Sequence, residues 1–205
     1  MHTITVEGEP LTPSKIVCVG RNYVAHIKEL GNEVPSQMVV FNKPNSAIST
    51  ELLASIDGET LHYEGEIALL VRGGKFAAAG FGLDLTRREL QASLKEKGLP
   101  WERAKAFDGA ALFSDFVPIP ASIATLSLRL TVDGELRQAG GVELMMYPPA
   151  AILRELRQFT TLEDGDIVMT GTPAGVGAIK AGEQFEGEVL SGSEVLVSGS
   201  WTARD

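Results

Sequence analysis

Residues Leu61–Val71 read Leu-His-Tyr-Glu-Gly-Glu-Ile-Ala-Leu-Leu-Val. The second half of this stretch is an apolar run that is typical of a buried strand. Side chains two residues apart on a strand point to the same face, so Glu64 and Glu66 would project together from the mouth of this strand. Neighbouring carboxylates repel each other, and a hard divalent cation is their natural partner. Asp84, further along the chain, is the candidate third ligand.

A solvated strand end is the alternative interpretation of the two glutamates. The chain is rich in acidic residues, with 27 Asp plus Glu against 18 Lys plus Arg, so such a triplet also arises by chance. Asp84 has an alternative role too, because a carboxylate shortly before a helix interacts favourably with the helix dipole. Its apolar neighbours Leu83 and Leu85 favour an inward-facing strand end, where Asp84 would meet Glu64 and Glu66.

The overall composition argues against several classes of partner. The chain has 205 residues and a formal net charge of -9. It has neither a basic stripe nor an interleaving of aromatic and basic residues, so we expect no nucleic-acid partner. An acidic surface, the lack of a long apolar run and the lack of a signal-peptide pattern predict no membrane association. The single Cys18 lies in an apolar run, where we expect a core residue in a reducing cytoplasm.

Short apolar or β-branched runs closed by Gly, Pro, Asn or Ser predict strands. Residues Leu126–Val132 alternate apolar and polar side chains, and Asp133-Gly134 predicts a turn into a return strand through Leu136. The other predicted strands are Ile16–Val19, Met38–Phe41, Ile67–Val71, Ile167–Thr170 and Val195–Val197.

Helices are predicted at three places among these strands. The clearest begins at Thr86, because Thr86 and Glu89 have the spacing of a capping box, and it ends before Gly98. A second follows Pro148-Pro149, and a short third covers Val24–Leu30. The second helix would turn four apolar side chains to one face: Ile152, Leu153, Leu156 and Phe159. Many strands, few helices and no regular strand–helix alternation predict an α+β fold that is predominantly β.

Other reactive side chains follow the predicted strands. His26 and Glu29 come soon after Gly20-Arg21-Asn22-Tyr23, and their spacing of three would let Glu29 orient His26 as a general base. Lys43 and Lys105 end apolar segments and would offset the carboxylates and hold an anionic substrate. The alternatives are an inert surface histidine and lysines that extend to solvent.

The glycine-rich loop at 171–177 reads Gly-Thr-Pro-Ala-Gly-Val-Gly. It lacks the Gly-Lys-Ser/Thr ending of a phosphate-binding loop, so we do not expect nucleotide binding. Its glycines would let the backbone approach a ligand, and Thr172 would donate to a carboxylate. A plain tight turn is the alternative.

Taken in order, these segments resemble the short single-domain branch of the fumarylacetoacetate hydrolase family. The resemblance runs from about Lys15 to the C-terminus, and its motifs are Gly20-Arg21-Asn22-Tyr23 with His26 and Glu29, Phe41-x-Lys43-Pro44, Glu64-x-Glu66, Asp84-Leu85-Thr86, Gln91, Gly98-Leu99-Pro100-Trp101 with Lys105, and Gly171-Thr172-Pro173-x-Gly175-Val176-Gly177. It implies a mixed β-roll of that family's C-terminal-domain type, usually a homodimer. Residues 1–14 would be an N-terminal edge segment and residues 15–205 the catalytic domain.

The resemblance also implies a site. Glu64, Glu66 and Asp84 would bind Mg²⁺ or Mn²⁺. His26, Glu29 and Lys105 would be catalytic, and the substrate would contact four residues: Arg21, Gln91, Thr172 and Lys43. One departure is Arg87, which stands where relatives commonly carry Ala and predicts a difference in the local packing or in a salt bridge.

The reaction implied first is metal-dependent hydrolysis of a C–C bond in a small 2,4-dioxo acid of acylpyruvate type, through a stabilised enolate. The alternative is isomerisation, tautomerisation or decarboxylation of an oxo-diacid: 2-hydroxyhepta-2,4-diene-1,7-dioate, 5-carboxymethyl-2-hydroxymuconate or oxaloacetate. A non-catalytic metal- and ligand-binding module is the second alternative. The presence of Lys105 and of the His26–Glu29 pair argues against that module.

Overall fold

A computed structural model describes residues 1–31, 33–120 and 122–205 of the chain. The strands are β1 (Ile4–Val6), β2 (Glu9–Leu11), β3 (Lys15–Gly20), β4 (Val39–Pro44), β5 (Ser55–Ile56), β6 (Glu59–Tyr63), β7 (Gly65–Arg72), β8 (Lys75–Asp84), β9 (Thr86–Arg87), β10 (Ala111–Phe113), β11 (Val117–Pro118), β12 (Leu126–Val132), β13 (Glu135–Gly141), β14 (Ile167–Met169), β15 (Gly177–Ala178), β16 (Gln184–Ser191) and β17 (Glu194–Thr202). The α-helices are α1 (Val24–Glu29), α2 (Arg88–Glu96), α3 (Glu102–Lys105) and α4 (Pro149–Leu156), and 3-10 turns cover Asn45–Ala47, Ile123–Thr125 and Val142–Leu144.

A seven-stranded sheet forms the centre of the molecule. Its strand order is β10-β8-β7-β14-β3-β4, with β11 also paired to β8. Strands β14 and β3 run parallel, whereas β7 and β8 form an antiparallel hairpin in which Gly65 lies opposite Leu83. Because of this pairing, the start of β7 and the end of β8 meet at one edge of the sheet, where the three carboxylates lie.

The central hairpin is buried on both faces, which explains its uninterrupted apolar sequence. Ile67 and Leu69 pack with the four-stranded antiparallel sheet β13-β12-β16-β17. Ala68 and Leu70, on the opposite face of β7, belong to a second core that also contains Cys18. The alternation in β12 therefore reflects one face packed on the core and one face exposed.

The first residues form a small hairpin from β1 and β2. Ile4 and Val6 are buried against Ile16 and Cys18 of the central sheet's core. The division between residues 1–14 and 15–205 stays a prediction. No helix among the described residues has the length and apolar character needed to cross a membrane.

The strand-rich α+β fold and the strand positions predicted from sequence are confirmed, but the predicted start of α2 is wrong. Thr86 lies in β9, and its hydroxyl oxygen accepts a hydrogen bond from Lys105 Nζ at 2.6 Å, so it does not cap the helix. Glu59 Oε1 instead accepts from the Leu90 backbone N–H at 3.1 Å. The cap comes from a neighbouring strand, which local spacing cannot reveal.

The predicted apolar face of α4 also needs one correction. Ile152 and Leu156 are fully buried as expected. Phe159 lies beyond the end of the helix and is 64% exposed, so it does not continue that face. The apolar spacing continues to Phe159 although the backbone leaves the helix after Leu156.

Candidate functional site

The three carboxylates converge at the edge of the central hairpin. Glu64 directly precedes β7, Glu66 lies within it and Asp84 ends β8. One oxygen from each lies within 4.8 Å of the others, and the three residues are only 6%, 2% and 1% exposed. Gly82 is the residue opposite Glu66 in the hairpin, so the partner strand places no side chain there.

Three cationic side chains surround this cluster. Lys105 Nζ lies 2.9 Å from Glu64 Oε2 and 2.8 Å from Asp84 Oδ2. Arg88 Nη2 donates to Glu64 Oε1 at 2.5 Å, and Lys43 Nζ lies 2.8 Å from Asp84 Oδ1. Buried carboxylates are stable only when they are paired in this way, so these cations make the cluster compatible with a folded core.

The cations are not shared equally, and the pKa values of the carboxyl groups differ as a result. Burial alone would raise the pKa of Glu64, but Lys105 and Arg88 hold it well below its usual range. Burial, followed by repulsion from Asp84 and Glu64, raises the pKa of Glu66 well above its ordinary value. Burial would lower the pKa of Lys105, but Asp84 and Glu64 outweigh burial and raise it. Glu66 is therefore the carboxyl group that most needs another cation.

The donor set fits a hard divalent ion. Carboxylate oxygens are the ligands that Mg²⁺ and Mn²⁺ prefer. Among the described residues, Asp84 Oδ1 is buried and has no hydrogen-bond partner of regular geometry, although the Lys43 ammonium lies 2.8 Å away. A buried oxygen so placed, next to two further carboxylates, is available to a bound ion. Glu64, Glu66 and Asp84 are thus the residues that could hold a metal.

The glycine-rich loop fixes Glu66 in place. The Gly171 backbone N–H donates to Glu66 Oε2 at 2.7 Å. Gly171 has φ +98°, and a Cβ atom there would lie 2.7 Å from Asn22 Cβ, so only glycine is accommodated without strain. Asn22 itself is buried and holds the backbone, donating to the Thr170 carbonyl at 2.7 Å and accepting from the Tyr147 N–H at 2.7 Å.

The His26–Glu29 pair lies across the cavity on α1. His26 Nδ1 is 3.1 Å from Glu29 Oε2, and His26 is only 6% exposed. Glu29 Oε1 also accepts from the Gly175 N–H at 2.9 Å, which ties α1 to the glycine-rich loop. Because a carboxylate only accepts hydrogen bonds, Nδ1 carries the proton and Nε2 is the ring nitrogen left for chemistry.

Most of the predicted site residues line a single cavity. It brings together Arg21, His26, Gln91, Lys105 and Thr172 with the carboxylates Glu64, Glu66 and Asp84. Arg21 adopts φ +55°, a left-handed conformation that is uncommon outside glycine and that often marks a functional turn.

Two predicted residues do not reach the cavity wall. Glu29 supports His26 from behind. Lys43 is fully buried and donates to the backbone carbonyls of Leu85 and Lys105, so its ammonium lies beside Asp84 instead of facing the cavity. Thr172 does line the cavity, but its hydroxyl donates to the Gly65 carbonyl at 2.9 Å.

Three residues of the site were not predicted from the sequence. Arg88 and Lys95 line the cavity, and they lie on the same face of α2 as Gln91, which is the signal that could have found them. Gln138 is 1% exposed, accepts from the Gly65 N–H at 2.8 Å and donates to Thr172 Oγ1 at 2.8 Å. Arg87, by contrast, does not line the cavity and pairs with Glu59 at 2.7 Å. That its packing or salt bridges differ from those of relatives stays a prediction.

Comparison with known proteins agrees with this geometry. The sequence model of a family described as fumarylacetoacetate (FAA) hydrolase C-terminal matches residues 15–199. Oxaloacetate tautomerase YcgM of Escherichia coli strain K12 is 38% identical over 199 residues, covering 87% of this chain and 91% of that protein. Human mitochondrial oxaloacetate tautomerase FAHD1 is 40% identical over 188 residues, covering 83% of this chain and 85% of its own length.

Solved structures give the same result. A crystal structure from Oleispira antarctica superposes with a TM-score of 0.92 at 36% identity, covering 99% of this chain and 100% of its own. Fumarylpyruvate hydrolase from Pseudomonas aeruginosa, crystallised with Mn²⁺ and pyruvate, superposes with a TM-score of 0.86 at 32% identity, covering 99% of this chain and 95% of its own.

The molecule is thus a β-rich enzyme with a buried carboxylate cluster at the edge of its central sheet. The chain belongs to the fumarylacetoacetate hydrolase family, as the resemblance in sequence predicted. The fold of that family's C-terminal domain is likewise confirmed.

Proposed function

We propose that this chain catalyses the metal-dependent keto–enol tautomerisation of a 2-oxo diacid, with oxaloacetate as the first substrate to test. The names of relatives at 38% and 40% identity over most of this chain support that reaction. The observation that carries the proposal is the position of His26, whose imidazole lines the cavity together with the three carboxylates. Tautomerisation needs a group that gives or takes a proton beside the bound oxo acid, and His26 is suited to that role.

Glu64, Glu66 and Asp84 would hold Mg²⁺ or Mn²⁺ in this proposal. When bound, such an ion supplies Lewis acidity that stabilises negative charge on a substrate oxygen. Lys105 contributes a second positive charge beside Glu64 and Asp84, which favours an anionic substrate. Gln91 on α2 and Arg21, which directly follows β3, line the same cavity and would orient the substrate.

His26 would exchange the proton at carbon. In the enol form, the electron pair of the C2–C3 double bond forms the new C3–H bond, while the pair of the O–H bond becomes part of the C2=O bond. One proton is delivered to C3 and one leaves the enol oxygen, so the reaction is balanced without another reactant. Glu29 keeps the ring oriented through Nδ1 and stabilises it when Nε2 is protonated.

The test is the decay of the enol absorbance of freshly dissolved oxaloacetate, followed with Mg²⁺ and with chelator. We expect acceleration that requires the metal and that His26→Ala reduces by about 10²- to 10⁴-fold. Glu29→Gln should show a smaller loss, because Nε2 remains in the cavity. Full activity of His26→Ala would contradict the assigned role.

Hydrolysis of an acylpyruvate is the second candidate. The similarity to fumarylpyruvate hydrolase supports it, and the same histidine could activate water. Release of pyruvate from an acylpyruvate distinguishes the two reactions, since tautomerisation leaves the carbon chain intact. His26→Ala should reduce such hydrolysis far more than any decarboxylation of oxaloacetate, and equal losses would contradict the role of the histidine.

The assembly and location are part of the same proposal. We expect a homodimer, which sedimentation would test. The eukaryotic relatives are named as mitochondrial, and the cytoplasmic location stays a prediction for this chain.

A further inference from the structure

One face of α2 runs along the cavity. Arg88, Gln91 and Lys95 all line it, and their spacing of three and four residues sets them on one side of the helix. Arg88 contacts Glu64 at 2.5 Å, so the start of α2 is anchored at the carboxylate cluster. The Lys95 backbone lies about 10 Å further along the helix axis. Lys95 therefore lines the cavity from the opposite end of α2 to Arg88.

Aromatic packing holds the Lys95 ammonium near this end. Lys95 Nζ lies 5.7 Å from the centre of the Trp101 ring, which favours a cation over its face. Trp101 in turn packs against Gly20, where a Cβ atom would lie 3.6 Å from Trp101 Cζ3. Arg21 follows Gly20 directly and lines the same cavity. The backbone and Trp101 thus bring the segments of Arg21 and Lys95 to the same side of the cavity.

This end of the cavity carries positive charge. Burial, followed by the charges of Arg21 and Arg88, lowers the pKa of Lys95 despite the opposing charge of Glu64, which indicates that cations lie close to one another here. A bound carboxylate would relieve that repulsion and accept charge-assisted hydrogen bonds. An oxo-diacid has such a group, separated from its oxo-acid end by a single carbon in oxaloacetate.

We propose that Lys95, together with Arg21, forms a subsite for the second carboxylate of an oxo-diacid. Lys95 then determines the preference for diacids over oxo acids with a neutral end. This inference rests on the proposed function, which sets the oxo-acid end of the substrate at Glu64, Glu66 and Asp84.

The first experiment compares two substrates in steady-state kinetics: enol-oxaloacetate and its 4-methyl ester, whose distal end is neutral. Lys95→Met keeps the apolar stem and removes the charge. We expect it to reduce kcat/KM for the diacid by about 10- to 100-fold, mainly through KM, and to change the ester by less than about twofold. Lys95→Arg should retain most of the diacid preference. Lys97→Met, at the exposed end of the same helix, is the matched control and should leave both substrates unchanged.

Two outcomes would overturn the subsite. Equal losses for diacid and ester would mean that Lys95 only shapes the cavity, and unchanged kinetics would mean that the distal carboxylate lies elsewhere. A binding experiment distinguishes failure of the subsite from failure of the proposed function. Calorimetry with Mg²⁺-loaded protein and 3,3-difluoro-oxaloacetate, which has no C3 hydrogen to move, should show tighter binding than the corresponding 4-methyl ester. Loss of the preference for the diacid in Lys95→Met would support the subsite even if the wild-type protein did not tautomerise oxaloacetate. Persistence of that preference in the variant would contradict the subsite.

Discussion

Lys43 Nζ lies 2.8 Å from Asp84 Oδ1, and both side chains are essentially excluded from solvent, at 0% and 1% exposure. Lys43 also donates to the backbone carbonyl of Leu85 at 3.3 Å and to that of Lys105. One buried ammonium therefore joins a candidate metal ligand to the segment that presents Lys105. Lys43 acts on the cavity through these two residues, although it does not line the cavity itself.

Replacing Lys43 should destabilise the protein, and a metal should offset part of that loss. Lys43→Met removes one of the two ammonium groups beside buried Asp84 and leaves that of Lys105, and removing one partner of a buried ion pair typically costs about 3–5 kcal/mol. A bound dication would supply the missing positive charge, so Mn²⁺ should stabilise Lys43→Met more than it stabilises the wild-type protein. Chemical unfolding with and without Mn²⁺ measures both effects.

The control for Lys43 is an exposed ion pair. Arg204 and Glu51 are 65% and 57% exposed, and Arg204→Met should change the unfolding free energy by less than about 1 kcal/mol. If Lys43→Met lowered the free energy of unfolding no more than Arg204→Met, the buried Lys43–Asp84 pair would not stabilise the protein as its geometry indicates.

Replacing the neighbouring Arg88 and Arg87 should affect kcat/KM to different extents. Arg88 donates to Gln91 Oε1 at 2.9 Å and to Glu64, so Arg88→Met should lower kcat/KM by about 10- to 100-fold by releasing both groups. Arg87→Met removes the contacts with Glu59 and Asp57, which do not line the cavity, and should leave kcat/KM within about twofold. Kinetic measurement of both variants tests the assignment, which would be wrong if the two lost the same amount.

Asp166 should make stability depend on pH. It is fully buried and accepts hydrogen bonds from Ser14 Oγ at 2.5 Å, Lys15 Nζ at 2.5 Å and the Glu163 N–H at 2.8 Å. Burial alone would raise the pKa of Asp166, but the bonds from Lys15 and Ser14 outweigh it and lower that pKa. A carboxyl group with a lowered pKa in the folded state stabilises the protein above its unfolded pKa of about 4, and this contribution is lost as the pH falls further.

Asp166→Asn tests this linkage. At pH 7 the free energy of unfolding of the variant should be about 2 kcal/mol lower than that of the wild-type protein. This difference should narrow as the pH is lowered below about 4. Urea unfolding at several pH values measures it, with Asp115→Asn at an exposed position as the control. A difference that stayed constant with pH would mean that Asp166 contributes through shape and not through charge.

The sequence predicted those features that depend on one strand or one short motif. The apolar run after Glu66 and the alternation in Leu126–Val132 identify strands because each side of a strand has its own environment. The spacing of Glu64 and Glu66 and the apolar neighbours of Asp84 pointed to the three carboxylates, whereas the hairpin of β7 and β8 that brings them together is seen only in the structure.

Contacts between distant segments could not be found in that way. Gln138 reaches Gly65 from the other sheet, and Glu59 caps α2 from β6, so neither role has a local signal. Lys43 looked like a substrate contact because it ends an apolar run beside carboxylates. Only the folded packing decides whether such an ammonium faces the cavity or the interior.

The central claim is that Glu64, Glu66 and Asp84 bind one divalent ion. Calorimetric titration of the chelator-treated protein with Mn²⁺ tests it most directly, with Glu64→Gln, Glu66→Gln and Asp84→Asn as variants and Glu186→Gln as a control in the second sheet. We predict one ion per wild-type and Glu186→Gln chain, and a loss of affinity in each of the three variants that exceeds the roughly 10- to 100-fold typical of removing an outer partner. Wild-type affinity in all three variants, or no binding by the wild-type protein, would contradict the claim.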